Sequence, residues 1–307
     1  MKFIQVASVA IFAVAISMPA FADANLDRCA STQDVDVEKR ISACTAFIDA
    51  GKDKSANLMA AYNHRAGARA AKRDYEGAIS DYTNVLKLDP SLAAVYLYRG
   101  DVYYSQRKFP EAIKDFAEAA RLQPKASMAW KYLGDAYDEN DEPSKAIGAY
   151  RQALKADPNY ADVHFDLGIV YRKAGDFKTS VASFSKAITL RADHAGAYNG
   201  RCFSRIQMRR LREAMADCNK AIDLNTRIAT YWETRGYARY KSGDLALALK
   251  DYSTAISLRP KSANALFGRS MVRRKAGDKV GGDADMAAAV KLNPDIAKVM
   301  AKLGMAP

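Results

Sequence analysis

A period of 34 residues between residues 59 and 296 constrains this chain more than any other feature. The seven repeats begin at residues 59, 93, 127, 161, 195, 229 and 263. Apolar or small residues recur at positions 4, 8, 20, 24 and 27, the spacing of one face on each of two helices. Position 32, where proline ends the second helix, is Pro90, Pro124, Pro158, Ala192, Thr226, Pro260 and Pro294. One helix pair cannot bury its apolar face alone, so the repeats must stack.

The residues at these positions resemble the tetratricopeptide repeat family. Repeat six shows the pattern most fully, with Trp232 at position 4, then Gly236, Ala248, Tyr252 and finally Pro260. The resemblance implies an all-α, right-handed superhelical solenoid of seven stacked helix pairs with capping helices. It also implies that a peptide or protein segment binds in a concave groove lined by the first helix of each repeat. A fold of this kind serves many functions, so the site must be argued from its own residues.

Both ends of the chain are predicted to lie outside the repeats. Lys2, the apolar stretch 3–18 and the small residues Ala20 and Ala22 are typical of a cleaved signal peptide. We therefore expect an exported bacterial protein, periplasmic or secreted, cleaved after Ala22 or alternatively after Ala24. A membrane anchor is the other interpretation, but the apolar stretch is short for it. The predicted segments are a signal peptide (1–22), an N-terminal helical capping segment (23–58, with a helix near 33–50) and the seven repeats (59–296). A C-terminal capping helix is predicted near 295–303, so it begins at the end of the last repeat. Residues 297–307 contain the rest of that helix and a tail.

The four cysteines fit an oxidising compartment. Cys202 and Cys218 occupy positions 8 and 24 of repeat five, where other repeats place a small residue against a ring. We predict that a disulfide replaces that contact. Cys44 resembles another residue of position 24, so a second disulfide to Cys29 is predicted in the capping segment. Four buried free thiols are the alternative, whereas spacings of 15 and 16 residues do not match metal-binding or redox motifs.

One pair of positions varies together among the repeats. Five repeats have arginine at position 7 and aspartate at position 23: Arg65 with Asp81, Arg99 with Asp115, Arg201 with Asp217, Arg235 with Asp251, and Arg269 with Asp285. Repeats three and four have Leu133 and Leu167 at position 7, with Ala149 and Ser183 at position 23. Pairing within a repeat leaves no charge without its partner, whereas pairing between neighbours does. We therefore predict structural ion pairs between the two helices of one repeat.

The positive charge is confined to the C-terminal part of the chain. Residues 23–190 have 24 basic and 24 acidic side chains, whereas residues 191–307 have 22 basic and 11 acidic ones, a net charge of +11. Such a field attracts acidic partners. An exported protein seldom meets nucleic acid, so acidic polypeptide, anionic glycan or an anionic membrane surface is favoured. A basic surface that only keeps the protein solvated is the alternative.

Positions 2, 5, 9, 12 and 13 line the groove in the family. In repeat three they hold an acidic patch of Asp135, Asp138 and Glu139. In repeats four to seven they combine rings with basic groups: Phe165, Ile169, Arg172, Lys173, Asn199, Phe203, Tyr237, Tyr240, Lys241, Phe267, Met271, Arg274 and Lys275. Rings beside cations suit an extended segment that is both acidic and apolar. No repeat has lysine at position 5 followed by asparagine at position 9, so binding of chaperone C-termini is not indicated.

The sequence carries no motif of catalysis. A phosphate-binding loop, a nucleophile elbow and a zinc-binding helix are all absent from it, and its three histidines, His64, His164 and His194, have no metal-ligand spacing. We expect no enzyme, no catalytic residue, no metal and no cofactor. The expected function is a non-catalytic scaffold of the periplasm or cell envelope that binds a peptide or protein segment. The alternative is a binder of anionic glycan or membrane through the basic C-terminal repeats.

Overall fold

The computed structural model describes residues 24–31, 36–51 and 56–302, and all secondary structure in these residues is α-helical. The helices are α1 Ala24–Ala30, α2 Val37–Asp49, α3 Ala56–Ala71, α4 Tyr75–Leu88, α5 Ala93–Ser105, α6 Phe109–Leu122, α7 Ser127–Glu139, α8 Pro143–Ala156, α9 Ala161–Lys173, α10 Phe177–Leu190, α11 Ala195–Gln207, α12 Leu211–Leu224, α13 Ala229–Ser242, α14 Leu245–Leu258, α15 Ala263–Lys275, α16 Lys279–Leu292 and α17 Ile296–Lys302. The fourteen helices α3–α16 are the predicted repeat helices, so the prediction of an all-α fold of stacked helix pairs is confirmed. The predicted signal peptide lies outside the described residues.

The chain forms two compact units, residues 1–122 and residues 123–307. In the first unit, α3 packs on α4 and α5 on α6, and α4 joins the two pairs. In the second unit the pairs run from α7 with α8 to α15 with α16. There the first helices α9, α11, α13 and α15 also contact one another in succession. This series of first helices is the face on which the sequence places the candidate groove.

Close contact between the two helices of a pair depends on the small residue at position 8. A Cβ atom on Gly168 would lie 2.6 Å from the ring of Phe184, closer than any real contact. The ring at position 24 is buried in return, and Phe184 and Tyr252 are 0% and 1% exposed. Small residues therefore let each ring fill the space between two helices, where burial of an aromatic side chain contributes about 1.5–3 kcal/mol.

The turn between the two helices needs a left-handed residue at position 15 in every repeat. Gly175, Gly243 and Gly277 have φ of 79°, 85° and 92°. The other four repeats place a non-glycine residue there: Arg73, Arg107, Asp141 and Arg209, with φ of 59° to 63°. In four repeats an aspartate at position 16 then caps the second helix, as Asp244 does by accepting a hydrogen bond from the Leu247 amide. The glycine–aspartate turn satisfies both local requirements at once.

Replacing Arg209 and Arg210 by glycine and aspartate is expected to stabilise the protein by about 1 kcal/mol, because it removes a left-handed arginine and adds a helix cap. The exposed pair of Arg210 with Glu213 is lost, but such pairs contribute little. Urea denaturation measures the change. Arg209→Ala is the control and should give no gain, since alanine is strained at the same φ. An equal gain from both variants would show that the turn geometry is not the cause.

Capping segments cover both ends of the repeats. The sequence predicted one N-terminal capping helix near 33–50, whereas the structure has two, α1 and α2, which pack together and on α3. At the other end α17 packs on α15 and α16 and buries Ile296 and Met300. The signal for α1 was missed because a seven-residue helix carries almost no periodicity. Throughout the described ranges, the helices are too short or too polar to cross a membrane.

Candidate functional site

Ion pairs fix the first helix of a repeat to its second helix. In five repeats the arginine at position 7 donates two parallel hydrogen bonds to the aspartate at position 23 of the same repeat. The Nη2–Oδ1 distances are 2.8 Å for Arg65–Asp81, 2.8 Å for Arg99–Asp115, 2.7 Å for Arg201–Asp217, 2.9 Å for Arg235–Asp251 and 2.7 Å for Arg269–Asp285. All five aspartates are buried, so each charge is neutralised where water cannot reach it.

A second arginine, at position 11, joins four of these pairs and is not among the residues predicted from the sequence. The Nη1 atoms of Arg69, Arg205, Arg239 and Arg273 lie 2.9, 2.5, 2.7 and 3.0 Å from Asp81, Asp217, Asp251 and Asp285. Repeat two has Tyr103 at this position, and repeats three and four have Tyr137 and Tyr171. Arginine at position 11 therefore occurs only where position 23 is aspartate, which is the signal that could have revealed it.

Each position-7 arginine also reaches the preceding helix pair. Arg99 Nη1 donates to Thr83 Oγ1 at 2.9 Å, and Arg235 Nη1 to Asn219 Oδ1 at 2.9 Å. Arg65 makes the same bond to Thr45 Oγ1 at 3.0 Å. Thr45 therefore takes the role of a position-25 residue, in agreement with the alignment of Cys44 to position 24. The arginines thus link successive pairs as well as the two helices within one pair.

Repeats three and four lack the arginine–aspartate pair, and a network around Lys131 takes its place. Lys131 Nζ lies 2.6 Å from Asp135 and 3.4 Å from Asp166, and Tyr150 donates to Asp135 at 2.7 Å. Burial opposes the charge of Lys131, but the two carboxylates outweigh it and raise the pKa of the lysine. The network holds α7, α8 and α9 together in place of the missing arginine–aspartate pair.

The acidic patch predicted in repeat three is largely neutralised. Asp135 is bound by Lys131, and Asp138 is bound by Lys173, whose Nζ lies 2.8 Å from both carboxylate oxygens. The sequence pattern predicts Lys173 to be a groove cation, but its ammonium group already has Asp138 as its partner. The correction has a geometric reason: Asp138 and Lys173 are 35 residues apart and meet only because α7 and α9 lie side by side.

Rings and cations alternate across four neighbouring first helices, and we name these residues the cation–ring strip. Its members are Arg172 on α9, Phe203 on α11, Tyr237, Tyr240 and Lys241 on α13, and Lys275 on α15. The Arg172 guanidinium lies 5.3 Å from the centre of the Phe203 ring, which stacks on Tyr237 at 6.3 Å. The ammonium groups of Lys241 and Lys275 lie 5.3 Å and 4.8 Å from the rings of Tyr237 and Tyr240. The strip therefore offers positive charge in contact with flat apolar surface.

The three cations of the strip have no acidic partner. Within residues 24–31, 36–51 and 56–302, no carboxylate lies within ion-pair distance of Arg172, Lys241 or Lys275. Lys241 and Lys275 are exposed, and Arg172, Phe203 and Tyr240 are half-buried. Tyr237 is only 2% exposed, and burial raises the pKa of its hydroxyl to about 12. Its ring is therefore a buried apolar surface between Phe203, on which it stacks, and the exposed ammonium group of Lys241.

Three residues predicted to be part of the groove surface take other places. Phe267 and Met271 are 0% and 6% exposed and belong to the same buried cluster as Ile296 and Met300. They are covered because α17 packs on α15 at the end of the repeats. Arg274 is exposed but paired, with Nη2 2.7 Å from Asp283. Repeat seven thus contributes only Lys275 to the strip.

The remaining groove residues lie at the other end of the strip. Phe165 and Ile169 on α9 are half-buried. The Phe165 ring packs 4.4 Å from His194 and 5.7 Å from Phe184. Asn199 stands on α11, one turn before Phe203. These residues extend the surface beyond Arg172 without adding charge.

The structure joins the cysteines in the two predicted combinations. Cys29 is bonded to Cys44, and Cys202 to Cys218, and all four are fully buried. Two disulfides are typical of a protein from an oxidising compartment. In the part of the chain with described placement, no cluster of histidine, cysteine, aspartate or glutamate is arranged to hold a metal ion.

Comparison with known proteins finds the tetratricopeptide repeat model at residues 63–127, 99–161, 133–197 and 233–295, well over half of the chain. A search of curated proteins finds no significant match. A tetratricopeptide repeat protein from Parabacteroides merdae aligns with a TM-score of 0.67 and 19% identity over 80% of this chain and 98% of its own.

Two further solved structures are similar in fold. The Cut9–Hcn1 hetero-tetramer of the APC/C aligns with a TM-score of 0.64 and 15% identity over 87% of this chain and 52% of the matched chain. YrrB, described as having an unusual peptide-binding site, aligns with a TM-score of 0.52 and 21% identity over 62% of this chain and 96% of its own. At these identities the likeness establishes the stacked helix pairs and nothing about partners.

Proposed function

Because this chain belongs to the tetratricopeptide repeat family, whose fold is that of a protein–protein interaction scaffold, we propose that it binds an extended protein segment along the cation–ring strip. The segment is acidic and apolar, and the protein acts on it by binding and not by catalysis. One observation carries this proposal: Arg172, Lys241 and Lys275 contact rings and have no carboxylate partner in the described chain. All other groove cations are already paired.

The chemistry of the strip sets the features of the segment. Rings such as Phe203 and Tyr240 supply apolar contact area that is insensitive to salt. Lys241 and Lys275 supply attraction and faster encounter for acidic side chains. Since both lysines are exposed, their contribution is screened by salt. An extended segment fits better than a folded surface because the strip runs across four parallel helices of different repeats.

We place the protein in the periplasm or outside the cell. The two buried disulfides and the signal-like residues 1–22 support this location. A partner in that compartment is itself exported or exposed at the cell envelope.

A second candidate function, binding to anionic glycan or to a membrane surface, is favoured by exposed lysines elsewhere in the C-terminal repeats. Lys220, Lys250, Lys261 and Lys291 are exposed, and no carboxylate in the described residues pairs with them. Such polyanions respond to charge over a whole surface and not to the rings of the strip. The two candidates therefore predict different effects from charge reversal inside and outside the strip.

Reversal of Lys241 and Lys275 to glutamate is expected to weaken peptide binding at least tenfold. The probe is a library of synthetic peptides, acetylated and amidated at their ends, that vary independently in acidic and aromatic content. Peptides that contain both are expected to bind, as measured by fluorescence anisotropy. Tyr240→Ala should weaken binding even at about 1 M salt, where charges are screened beyond about 3 Å.

The matched control reverses Lys250 and Lys261, which changes the net charge equally but lies outside the strip. It should change peptide affinity less than twofold. Equal losses in both double variants, together with retention on heparin or on vesicles that contain phosphatidylglycerol, would favour the polyanion candidate. Absence of binding to every peptide of the library would refute the proposed segment.

A further inference from the structure

Arg172 differs from the other half-buried arginines of the described repeats in having no hydrogen-bonded counter-ion. Arg201, for comparison, donates to both oxygens of Asp217 at 2.9 Å and 2.7 Å. The Arg172 guanidinium lies over the Phe203 ring, and no described residue accepts a hydrogen bond from it. Burial lowers the pKa of Arg172, and the carboxylate of Asp138 acts in the opposite direction. A half-buried cation without a hydrogen-bonded partner is less favourable than a paired one, and such groups concentrate at binding sites.

Asp138 is the nearest acidic influence on Arg172, but its ion pair in the described residues is with Lys173. Both of its carboxylate oxygens lie 2.8 Å from Lys173 Nζ, and its side chain is only 3% exposed. Asp138 therefore attracts Arg172 electrostatically, while both of its carboxylate oxygens accept from Lys173. The edge of the Arg172 guanidinium keeps its donors available for a carboxylate that comes from outside the chain.

An unsatisfied acceptor lies on the neighbouring helix. Asn199 precedes Phe203 by four residues on α11, so the two side chains share one face of that helix. Its Oδ1 atom is buried and receives no hydrogen bond from any described residue. An amide in this state is completed by a donor from a bound chain, to which rotation of the side chain gives it access. A backbone N–H is the donor that every peptide supplies.

We propose that Arg172, Phe203 and Asn199 form a subsite that recognises one acidic side chain of the bound segment. Arg172 binds the carboxylate of that side chain with two parallel hydrogen bonds, and Phe203 fixes the plane of the guanidinium. Asn199 accepts the N–H of an adjacent peptide bond. The inference rests on the proposed function and adds to it the position at which an aspartate or glutamate is read specifically, whereas Lys241 and Lys275 attract acidic residues without fixed geometry.

The test is a double-mutant cycle that combines changes in one peptide with substitution of Arg172 in the full-length protein. From the library, a binding peptide is chosen and each of its acidic residues is changed in turn to the neutral isostere, glutamate to glutamine or aspartate to asparagine. One of these changes is expected to weaken binding to the wild-type protein about tenfold, which corresponds to about 1.4 kcal/mol. The same change should alter binding to Arg172→Gln less than twofold, since the reading group is gone.

Two further variants separate geometry from charge. Lys250→Gln removes the same charge outside the strip and should leave the tenfold preference intact. Arg172→Lys keeps the charge but not the two parallel donors, and it should lose most of the preference. Asn199→Ala is expected to weaken all peptides several-fold regardless of their acidic residues. Circular dichroism and thermal melting verify that each variant is folded.

The outcomes distinguish this inference from the proposed function. If peptides bind but Arg172→Gln and Arg172→Lys keep the wild-type preference, the subsite is wrong and the binding strip stands. If only Arg172→Lys keeps it, Arg172 acts as a point charge and the two-bond geometry is refuted. If no library peptide binds the wild-type protein, the proposed function fails and the subsite fails with it.

Discussion

Replacing Arg99 by leucine is expected to destabilise the protein by about 3–5 kcal/mol, because it leaves a buried carboxylate without its partner. Arg99 donates to both oxygens of Asp115 at 2.8 Å, and Asp115 is 5% exposed. In repeat two this is the only arginine at the aspartate, since Tyr103 occupies position 11. Arg99 also donates to Thr83, so the link to the preceding helix pair is lost with it.

Repeat three of the same chain shows which second substitution should restore the lost stability. Arg99→Leu combined with Asp115→Ala gives repeat two the residues of repeat three, which has Leu133, Tyr137 and Ala149 at the corresponding positions. The double variant should recover most of the lost stability, because no unpaired charge remains. Unfolding in urea, followed by circular dichroism, measures both variants. Equal destabilisation in the single and double variants would show that the two residues are not coupled.

The same experiment in repeat six is expected to give a smaller effect. Arg235→Leu leaves Asp251 in contact with Arg239 at 2.7 Å, so the loss should be about 1.5–3 kcal/mol, the strength of hydrogen bonds to a charged group. Combining Arg235→Leu with Asp251→Ala then leaves Arg239 without a carboxylate. Full rescue in this repeat also requires Arg239→Tyr.

The sequence alone allowed the fold and the ion pairs to be predicted because seven repeats act as an internal comparison. Positions that vary together, such as 7 and 23, reveal contacts without any other sequence. Arginine at position 11 occurs only in repeats that have aspartate at position 23, so the same comparison could have predicted this contact. Regular contacts of this kind are encoded in every repeat, so a single chain contains enough examples to infer them.

The candidate site was predicted less well because its details are not periodic. Burial of Phe267 and Met271 depends on α17, which follows the last repeat and has no counterpart in the others. The pairing of Lys173 with Asp138 depends on side-chain reach between two helices. The strip that remains is smaller than the predicted groove, and what distinguishes it is the absence of paired carboxylates, which sequence spacing does not show.

Changing both Cys202 and Cys218 to alanine is expected to destabilise the protein by about 3 kcal/mol, the value for a cross-link that closes a loop of about 15 residues. The two residues are 16 positions apart and fully buried, so the variant also loses packing between α11 and α12. The bond of Cys29 to Cys44 stays intact in this variant and keeps the N-terminal helices unchanged. Urea unfolding under non-reducing conditions therefore reports the second bridge alone.

In two repeats the ring at position 24 also presses on a glycine at position 6 of the next repeat. A Cβ on Gly200 would lie 2.5 Å from Phe184, and one on Gly268 would lie 2.2 Å from Tyr252. The rings of Tyr82, Phe116 and Tyr150 are instead followed at that position by Tyr98, Tyr132 and Asp166. Thr234 takes that position after Cys218, so a ring in repeat five would lie beside a threonine, whereas the ring of Tyr82 lies beside Tyr98. The bond between Cys202 and Cys218 ties α11 to α12.

A variant that restores the ring tests whether Thr234 competes with a ring for space. Cys202→Gly, Cys218→Phe and Thr234→Gly together reproduce the contacts of Gly168, Phe184 and Gly200, and should be more stable than the double alanine variant. The same two cysteine changes with Thr234 retained should be less stable than the triple variant, because the ring then meets the threonine side chain. If Thr234→Gly brings no gain, the ring and position 6 do not compete for the same space. If the double alanine variant unfolds at the wild-type urea concentration, the bridge does not stabilise this repeat and its packing alone holds α11 on α12.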